Sequence, residues 1–424
     1  MAHATHNERV LSFEEARRVV EEAGHGLLRT RRPSTEKAGL LNSAGRVLAE
    51  EIAADRDFPP FNRATRDGFA VRAADVLGAS DAAPLRLRVV GETKAGASPY
   101  GGVLKAGEAL EIMTGAPAPA GSEYAVVMVE HTSRQGNEIL VRRAVKAGEN
   151  IVAAGSEARK GAVLLAPGHR IDHAAIAVAA SVGRTQVEVY GRPRIAILST
   201  GDEIVEINAM PQAHQIRNSN SYSLAAQVAA AGGEAVQFPI AADNISALRG
   251  LVQKGLESEL LLLSGGVSMG KYDLVEQALT EFGAEFLFTG ARIQPGKPIV
   301  FGRVSSPPGQ TVHYFFGLPG NPVSTMVTFE LFAKPMIDAL GGTPPALWRP
   351  LQARLKSEIT TKTGLTRFLP GFLSGLQVET VRWLGSGDIV ATAQANCYVV
   401  VPPDRETLPA GEMVEVLLRR RITS

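Results

Sequence analysis

Between Pro193 and Gly342 the apolar residues fall in short runs separated by segments of helical period. Runs at Arg194–Ser199, Ala235–Ile240, Glu259–Ser264, Glu285–Phe288, Ile299–Arg303 and His313–Phe316 predict strands. Helices are predicted near Ser221–Ala231, where Gly232-Gly233 supply the stop, and at Ile245–Leu256, Leu274–Phe282 and Val323–Leu340. Strands alternating with helices imply right-handed crossovers and a mostly parallel sheet. Ligands of such sheets bind beyond the carboxyl ends of the strands.

The flanks read differently. Ser12 and Glu15 form a capping box that opens a helix over Phe13–Ala23, expected to end near Gly24 and Gly26, and a second helix is expected over Ala38–Ala53. From Leu85 to Ile171 short alternating runs predict a β-rich module: Leu85–Val90, Ala109–Met113, Ala125–His131, Glu138–Val141 and Ala162–Leu165. An Ala-rich helix, Asp172–Val182, and a strand, Val187–Tyr190, lead to Pro193. After Pro344-Pro345, runs at Leu351–Leu355, Gln377–Trp383, Asp388–Ala393, Tyr398–Val401 and Met413–Leu418 predict a small β-barrel. The expected fold class is therefore multidomain α/β plus β. A central three-layer α/β domain (193–342) lies between β-rich N-terminal modules and a C-terminal barrel (343–424). Residues 56–154 form the β-rich module, and 1–55 with 155–192 a helical and linker module.

A chain of 424 residues is long enough for several cores, and 45% hydrophobic with 21% charged residues is a globular composition. Forty-four basic against forty-three acidic residues give a net charge of +1, so no global field draws the chain to nucleic acid or anionic lipid. An anion must be held locally. The single cysteine, Cys397, excludes an intrachain disulfide and a Cys-based metal site, which fits a reducing cytosol. Met1–Leu11 lacks the pattern of a secretory signal, and no apolar run approaches the roughly 20 residues that span a bilayer. The expectation is a cytoplasmic protein without a membrane segment.

The loops after the central strands carry the candidate chemistry. They read Thr200-Gly201-Asp202-Glu203, Ser264-Gly265-Gly266-Val267-Ser268-Met269-Gly270 leading to Asp273, Gln294-Pro295-Gly296-Lys297-Pro298, and Gly317-Leu318-Pro319-Gly320-Asn321-Pro322. Small residues let backbone N–H groups approach an oxyanion, and the last loop runs into a helix start with Ser324 close by. Each loop alone is ordinary turn punctuation; their coincidence on one sheet edge points to an anionic, phosphorylated ligand. Lys297 is not a Walker lysine, because Pro298 stands where Ser or Thr is needed. Glu203, Asp243 and Asp273, with Asp202 beside the first, are oxygen ligands suited to a hard cation such as Mg²⁺, although Asp243 also reads as the N-cap of the Ile245 helix. The histidines lack zinc spacing. Gly266–Gly270 matches a nucleophile elbow around Ser268, with His313 as a candidate base, yet the helix starts too late for an elbow, at about Asp273.

These phrases resemble the molybdopterin molybdenumtransferase family, which includes bacterial MoeA proteins and the E domain of gephyrin. The resemblance rests on Ser199–Glu203, Asn218-Ser219-Asn220, Ser264–Gly270 with Asp273, Pro295–Pro298 and Gly317–Ser324, and also on Pro59-Pro60-Phe61, Asp67–Arg72 and Ile112–Pro117. It spans essentially the whole chain. It implies insertion of molybdenum from molybdate into adenylated molybdopterin with release of AMP, by an elongated homodimer. It further implies that Asp67, Thr114 and Glu157 of one subunit face Glu203, Asp243 and Asp273 of the other. Arg292, Lys297 and Ser324 are candidate anion donors, with Thr200, Gly201, Asp202, Ser264, Gly265, Gly266, Ser268, Pro298, Gly320 and Asn321 around the ligand. Implied partners are a molybdopterin adenylyltransferase and molybdoenzyme acceptors. Three departures stand out: Asn62-Arg63-Ala64-Thr65-Arg66 ahead of Asp67, Gln294 where a lysine is common, and Glu157 where Asp is usual. A tungstate-using enzyme and a peptide-anchoring scaffold are the alternatives on this fold.

Overall fold

The computed structural model describes residues 9–265, 274–305, 312–345 and 348–419. Two compact units emerge, one comprising Met1–Lys37, Gly45–Ala49 and Glu188–Ser424, the other Ala38–Ala44 and Glu50–Val187.

In the first unit, helix α1 (Phe13–Thr30) opens with the expected capping box, Ser12 and Glu15 exchanging backbone and side-chain bonds. It does not stop at Gly24 or Gly26. Gly24 is buried, and a Cβ there would lie 2.6 Å from Cγ of Pro345 and 3.2 Å from Cβ of Ala339. That glycine permits close packing rather than ending the helix, and the buried stripe Phe13, Ala16, Val20, Leu27 continues past it. Phe13 meets Trp348 and Phe368 edge-to-face, each with ring centroids 5.2 Å apart.

The central sheet is built from β1 (Arg194–Ser199), β2 (Glu234–Gln237), β3 (Leu260–Ser264), β4 (Glu285–Phe288), β5 (Val300–Ser305) and β6 (Val312–Leu318), in the order β2-β1-β3-β6-β5-β4. Neighbours β2, β1, β3 and β6 pair in parallel, whereas β5 runs antiparallel to both β6 and β4. Strand β3 is buried throughout, as a parallel strand covered on both faces should be. Its side chains alternate between two cores. Leu260 and Leu262 join Ile195, Ile197 and the helices α2 (Ser219–Ala230) and α5 (Pro322–Thr328); Leu261 and Leu263 join Ala196, Leu198 and the helices α3 (Ile245–Gly255) and α4 (Leu274–Glu281). This is the three-layer arrangement expected. The predicted helix Val323–Leu340 changes pitch midway, with a π turn at Phe329–Ala333 before a last α segment, Lys334–Leu340.

The C-terminal strands close into a small barrel, in the order Thr366–Ser374, Gln377–Thr380, Leu351–Leu355, Met413–Leu418 and Cys397–Val401, which returns to Thr366–Ser374. The expected strand at Asp388–Ala393 is instead a helix, Ile389–Gln394, because Asp388 accepts from the Ala391 N–H and caps it.

In the second unit a six-stranded sheet runs Tyr124–Met128, Gly68–Arg72, Glu108–Ile112, Leu85–Thr93, Glu138–Val141, Thr132–Gln135. Gly68 allows its strand to approach Tyr124–Met128, since a Cβ would come within 1.9 Å of the Val127 carbonyl oxygen. No helix covers Ala38–Ala53: Leu40–Ser43 is a single 3₁₀ turn, and Gly45 follows at φ +76°, a left-handed conformation that breaks helical continuation. Asp172 caps the expected Ala-rich helix, His173–Ser181. Among the described residues no helix is long and apolar enough to cross a membrane.

Candidate functional site

Ser199, Ser264 and Leu318 stand abreast at the carboxyl ends of β1, β3 and β6. The loops that follow enclose a cavity of about 390 Å³ in the first unit. Two glycines make this convergence sterically feasible. Gly265 sits at φ +92°, and a Cβ there would lie 2.4 Å from the Thr200 carbonyl oxygen; Gly320 lies over it, with the Gly265 Cα 3.6 Å from where its own Cβ would be. The Gly265 N–H is already committed to the Leu318 carbonyl at 3.3 Å, so it is not an anion donor. The N–H groups of Gly320 and Asn321, in contrast, have no partner among the described residues, and Asn321 begins α5 without a side-chain capping bond.

The opposite wall is the start of α2. Asn218 caps it, accepting from the Ser221 N–H at 3.1 Å and from the Ser199 hydroxyl at 3.2 Å. Asn220, 8% exposed, donates from Nδ2 to the Ser264 Oγ at 2.8 Å and to the Gly320 carbonyl at 2.7 Å. One buried amide thereby ties together the loops after β3 and β6. The sequence phrase Asn218-Ser219-Asn220 marked the segment without revealing this bracing role.

Glu203 and Asp243 both line the cavity. Asp243 is not the cap of α3; Asn244 is, accepting from the Ala247 N–H at 2.8 Å. Freed from capping, Asp243 accepts the Thr200 hydroxyl at 2.5 Å, while its backbone N–H donates to the Asp202 Oδ1 at 3.1 Å. Thr200 and Asp202 therefore orient Asp243. Among the described residues no three His, Cys, Asp or Glu side chains stand close enough to hold a cation. Asp273, Gly266 and Ser268 lie outside the described residues.

Other predicted residues take up separate positions. Gly201 and Pro298 line the cavity, and Ser264, 1% exposed, backs it through Asn220. Lys297 is exposed beside Pro298 but is not on the wall. Ser324 is buried, its carbonyl accepting from the Thr328 hydroxyl at 2.8 Å. Arg292 lines a different cavity of about 240 Å³, with Ser12 and Thr366. His313 lies at the amino end of β6, its Nδ1 3.1 Å from the Ser258 carbonyl, at the end of the strand away from the strand-end loops, whereas its suggested partner Ser268 lies outside the described residues. The cation that does line the cavity among the described residues is Arg217, which no motif singled out.

In the second unit Asp67 accepts from both the N–H and the hydroxyl of Thr114, at 2.6 and 2.7 Å. These bonds, the backbone one foremost, hold its carboxyl below the usual carboxylate range. Glu157 pairs with Arg63 at 3.1 Å, so the departure at Arg63 acts directly on Glu157.

A chamber of this kind, at the carboxyl edge of a mostly parallel sheet, with N–H groups unpaired among the described residues and oriented carboxylates, is the type of site at which α/β proteins hold phosphorylated or oxyanionic ligands. Comparison with known proteins narrows the class. Residues 11–183 match the MoeA N-terminal region (domain I and II), 196–339 a probable molybdopterin binding domain, and 352–418 the MoeA C-terminal region (domain IV). The molybdopterin molybdenumtransferase of Nostoc sp. is 36% identical over 392 residues, covering 90% of this chain and 88% of that protein. That of Staphylococcus epidermidis is 33% identical over 384 residues, covering 89% and 90%. The crystal structure of the molybdopterin biosynthesis MoeA protein from Pyrococcus horikoshii superposes with a TM-score of 0.79 at 28% identity, covering 97% of this chain and all of that one. The chain belongs to the MoeA family of molybdopterin molybdenumtransferases, transferases of molybdenum cofactor biosynthesis.

Proposed function

We propose that this chain transfers molybdenum from molybdate to adenylated molybdopterin and releases AMP. The observation that carries this reading is the strand-end chamber, lined by Gly320 and Asn321, whose N–H groups have no partner among the described residues, and by Glu203 and the oriented Asp243. The N–H groups would hold a phosphoryl or molybdate oxygen, and the glycines at 201, 265 and 320 leave the room that the ligand needs. Lys297, one residue from the wall residue Pro298, would add positive charge at the rim. Glu203 and Asp243 would supply oxygen donors to a hard divalent cation such as Mg²⁺, with Asp273 the third donor that the family resemblance implies, and the cation would offset the charge of the phosphoanhydride.

The same reading makes the protein a cytoplasmic homodimer that receives its substrate from a molybdopterin adenylyltransferase and passes its product to molybdoenzymes. Asp67, Thr114 and Glu157 would then approach the chamber of the other subunit; the exposed, ionised Asp67 supports such a use. It also divides the chain into the modules 56–154, 193–342 and 343–424, with 1–55 and 155–192 as the linking module. The test supplies purified protein with adenylated molybdopterin and either molybdate or tungstate. AMP release with molybdate at limiting concentration supports the reading. Release with tungstate alone would reassign the metal, and release with neither would leave a binding scaffold.

A further inference from the structure

The chamber holds two carboxylates, Glu203 and Asp243, so an anionic ligand enters against their charge unless a cation faces it. The cations that sequence motifs nominated are not on the wall: Arg292 lines another cavity, and Lys297 is absent from the lining. Arg217 is there. It closes a short parallel pair, Ile204–Val205 with Ile216–Arg217, in which Val205 and Arg217 are partners and the Ile216 N–H donates to the Glu203 carbonyl at 2.9 Å. The backbone is thereby fixed on the residue before Asn218, the cap of α2. The guanidinium is fixed too, since its Nε donates to the Ala209 carbonyl at 3.1 Å. It forms no ion pair with Glu203, Asp243 or any other carboxylate among the described residues, and its Nη groups have no partner there. An arginine anchored through Nε and left with its two Nη groups exposed presents the planar fork that recognises tetrahedral oxyanions bidentately.

We propose that Arg217 is the specificity-determining cation of the chamber, holding a tetrahedral oxyanion beside the α2 start. This inference rests on the proposed function. The oxyanion has two sources, the phosphoryl group of the adenylate or molybdate itself, and binding measurements separate them. Calorimetric titration of AMP and of sodium molybdate into wild-type, Arg217→Ala and Arg217→Lys protein is the experiment. The Arg217 side chain is exposed with a single hydrogen bond among the described residues, so both variants should melt with the wild type. Arg217→Ala should weaken one titrant by about 10- to 100-fold, the range for a charge-assisted bidentate contact. Arg217→Lys, which keeps the charge and loses the fork, should show a smaller loss. A loss confined to AMP assigns the phosphoryl group, and a loss confined to molybdate assigns the metal oxyanion. Wild-type affinity for both titrants in both variants overturns the inference and leaves the proposed function standing. A wild-type protein that binds neither overturns both.

Discussion

Gly265 and Gly320 lie against one another, yet they should respond to substitution in opposite ways, and the contrast separates architecture from ligand contact. At Gly265 the backbone is left-handed, φ +92°, which costs an L-residue roughly 1–2 kcal/mol. A Cβ would also stand 2.4 Å from the Thr200 carbonyl oxygen, a backbone atom that cannot swing aside. Gly265→Ala should therefore lose about 2–4 kcal/mol of stability. The displacement would pass through Thr200 to Asp243, which Thr200 orients. Gly320 has no left-handed φ, and among the described residues its Cβ would meet only the Gly265 Cα, at an ordinary 3.6 Å. Gly320→Ala should cost no more than about 0.5 kcal/mol, while Gly320→Val pushes a branched side chain into the chamber and should lower AMP affinity without unfolding the domain. Urea midpoints and AMP titrations on the three variants give both readouts. Unchanged AMP affinity in Gly320→Val would show that the loop is only a turn, and wild-type stability in Gly265→Ala would refute the steric argument.

Asn220→Ala removes one buried and one partly buried hydrogen bond and should cost about 2 kcal/mol in a thermal melt. Thr114→Val removes one of the two donors that depress the Asp67 carboxyl, so its titration followed by NMR should move up toward the ordinary value. Because that carboxyl is depressed in the folded chain, its stabilisation is complete above about pH 4 and fades as pH falls through the lowered value; in Thr114→Val the fade should begin at the same pH but be smaller and end at a higher pH. Gly24→Ala gains about 1 kcal/mol of helix propensity but drives a Cβ to 2.6 Å from Pro345, and a lowered melting temperature is the expected net result.

The central sheet was legible because its strands are buried on both faces and read as unbroken apolar runs between helices. Its glycine loops were legible because they recur at strand ends. What escaped reading depended on contacts remote in the chain. Gly24 looks like a helix stop from its neighbours, and only Ala339 and Pro345 reveal it as a packing position. Thr366–Ser374 is not among the expected strands, yet it pairs on both sides in the barrel. Asp243 was placed as cap or ligand; the neighbouring Asn244 takes the cap. Arg217 belongs to no motif, and its position on the cavity wall follows from the pairing of Ile204–Val205 with Ile216–Arg217.

The most direct measurement is AMP release from adenylated molybdopterin and molybdate by Asp243→Asn. Asparagine keeps an oxygen for the Thr200 hydroxyl and keeps the backbone N–H for Asp202, so the chamber should hold its shape and the melting temperature should stay near wild type. What it loses is the negative charge. If the chamber is where molybdenum is transferred, AMP release should fall by about 100-fold or more, equivalent to about 2.7 kcal/mol of lost transition-state stabilisation. AMP release at the wild-type rate by a normally folded Asp243→Asn protein would contradict the assignment of the reaction to this chamber.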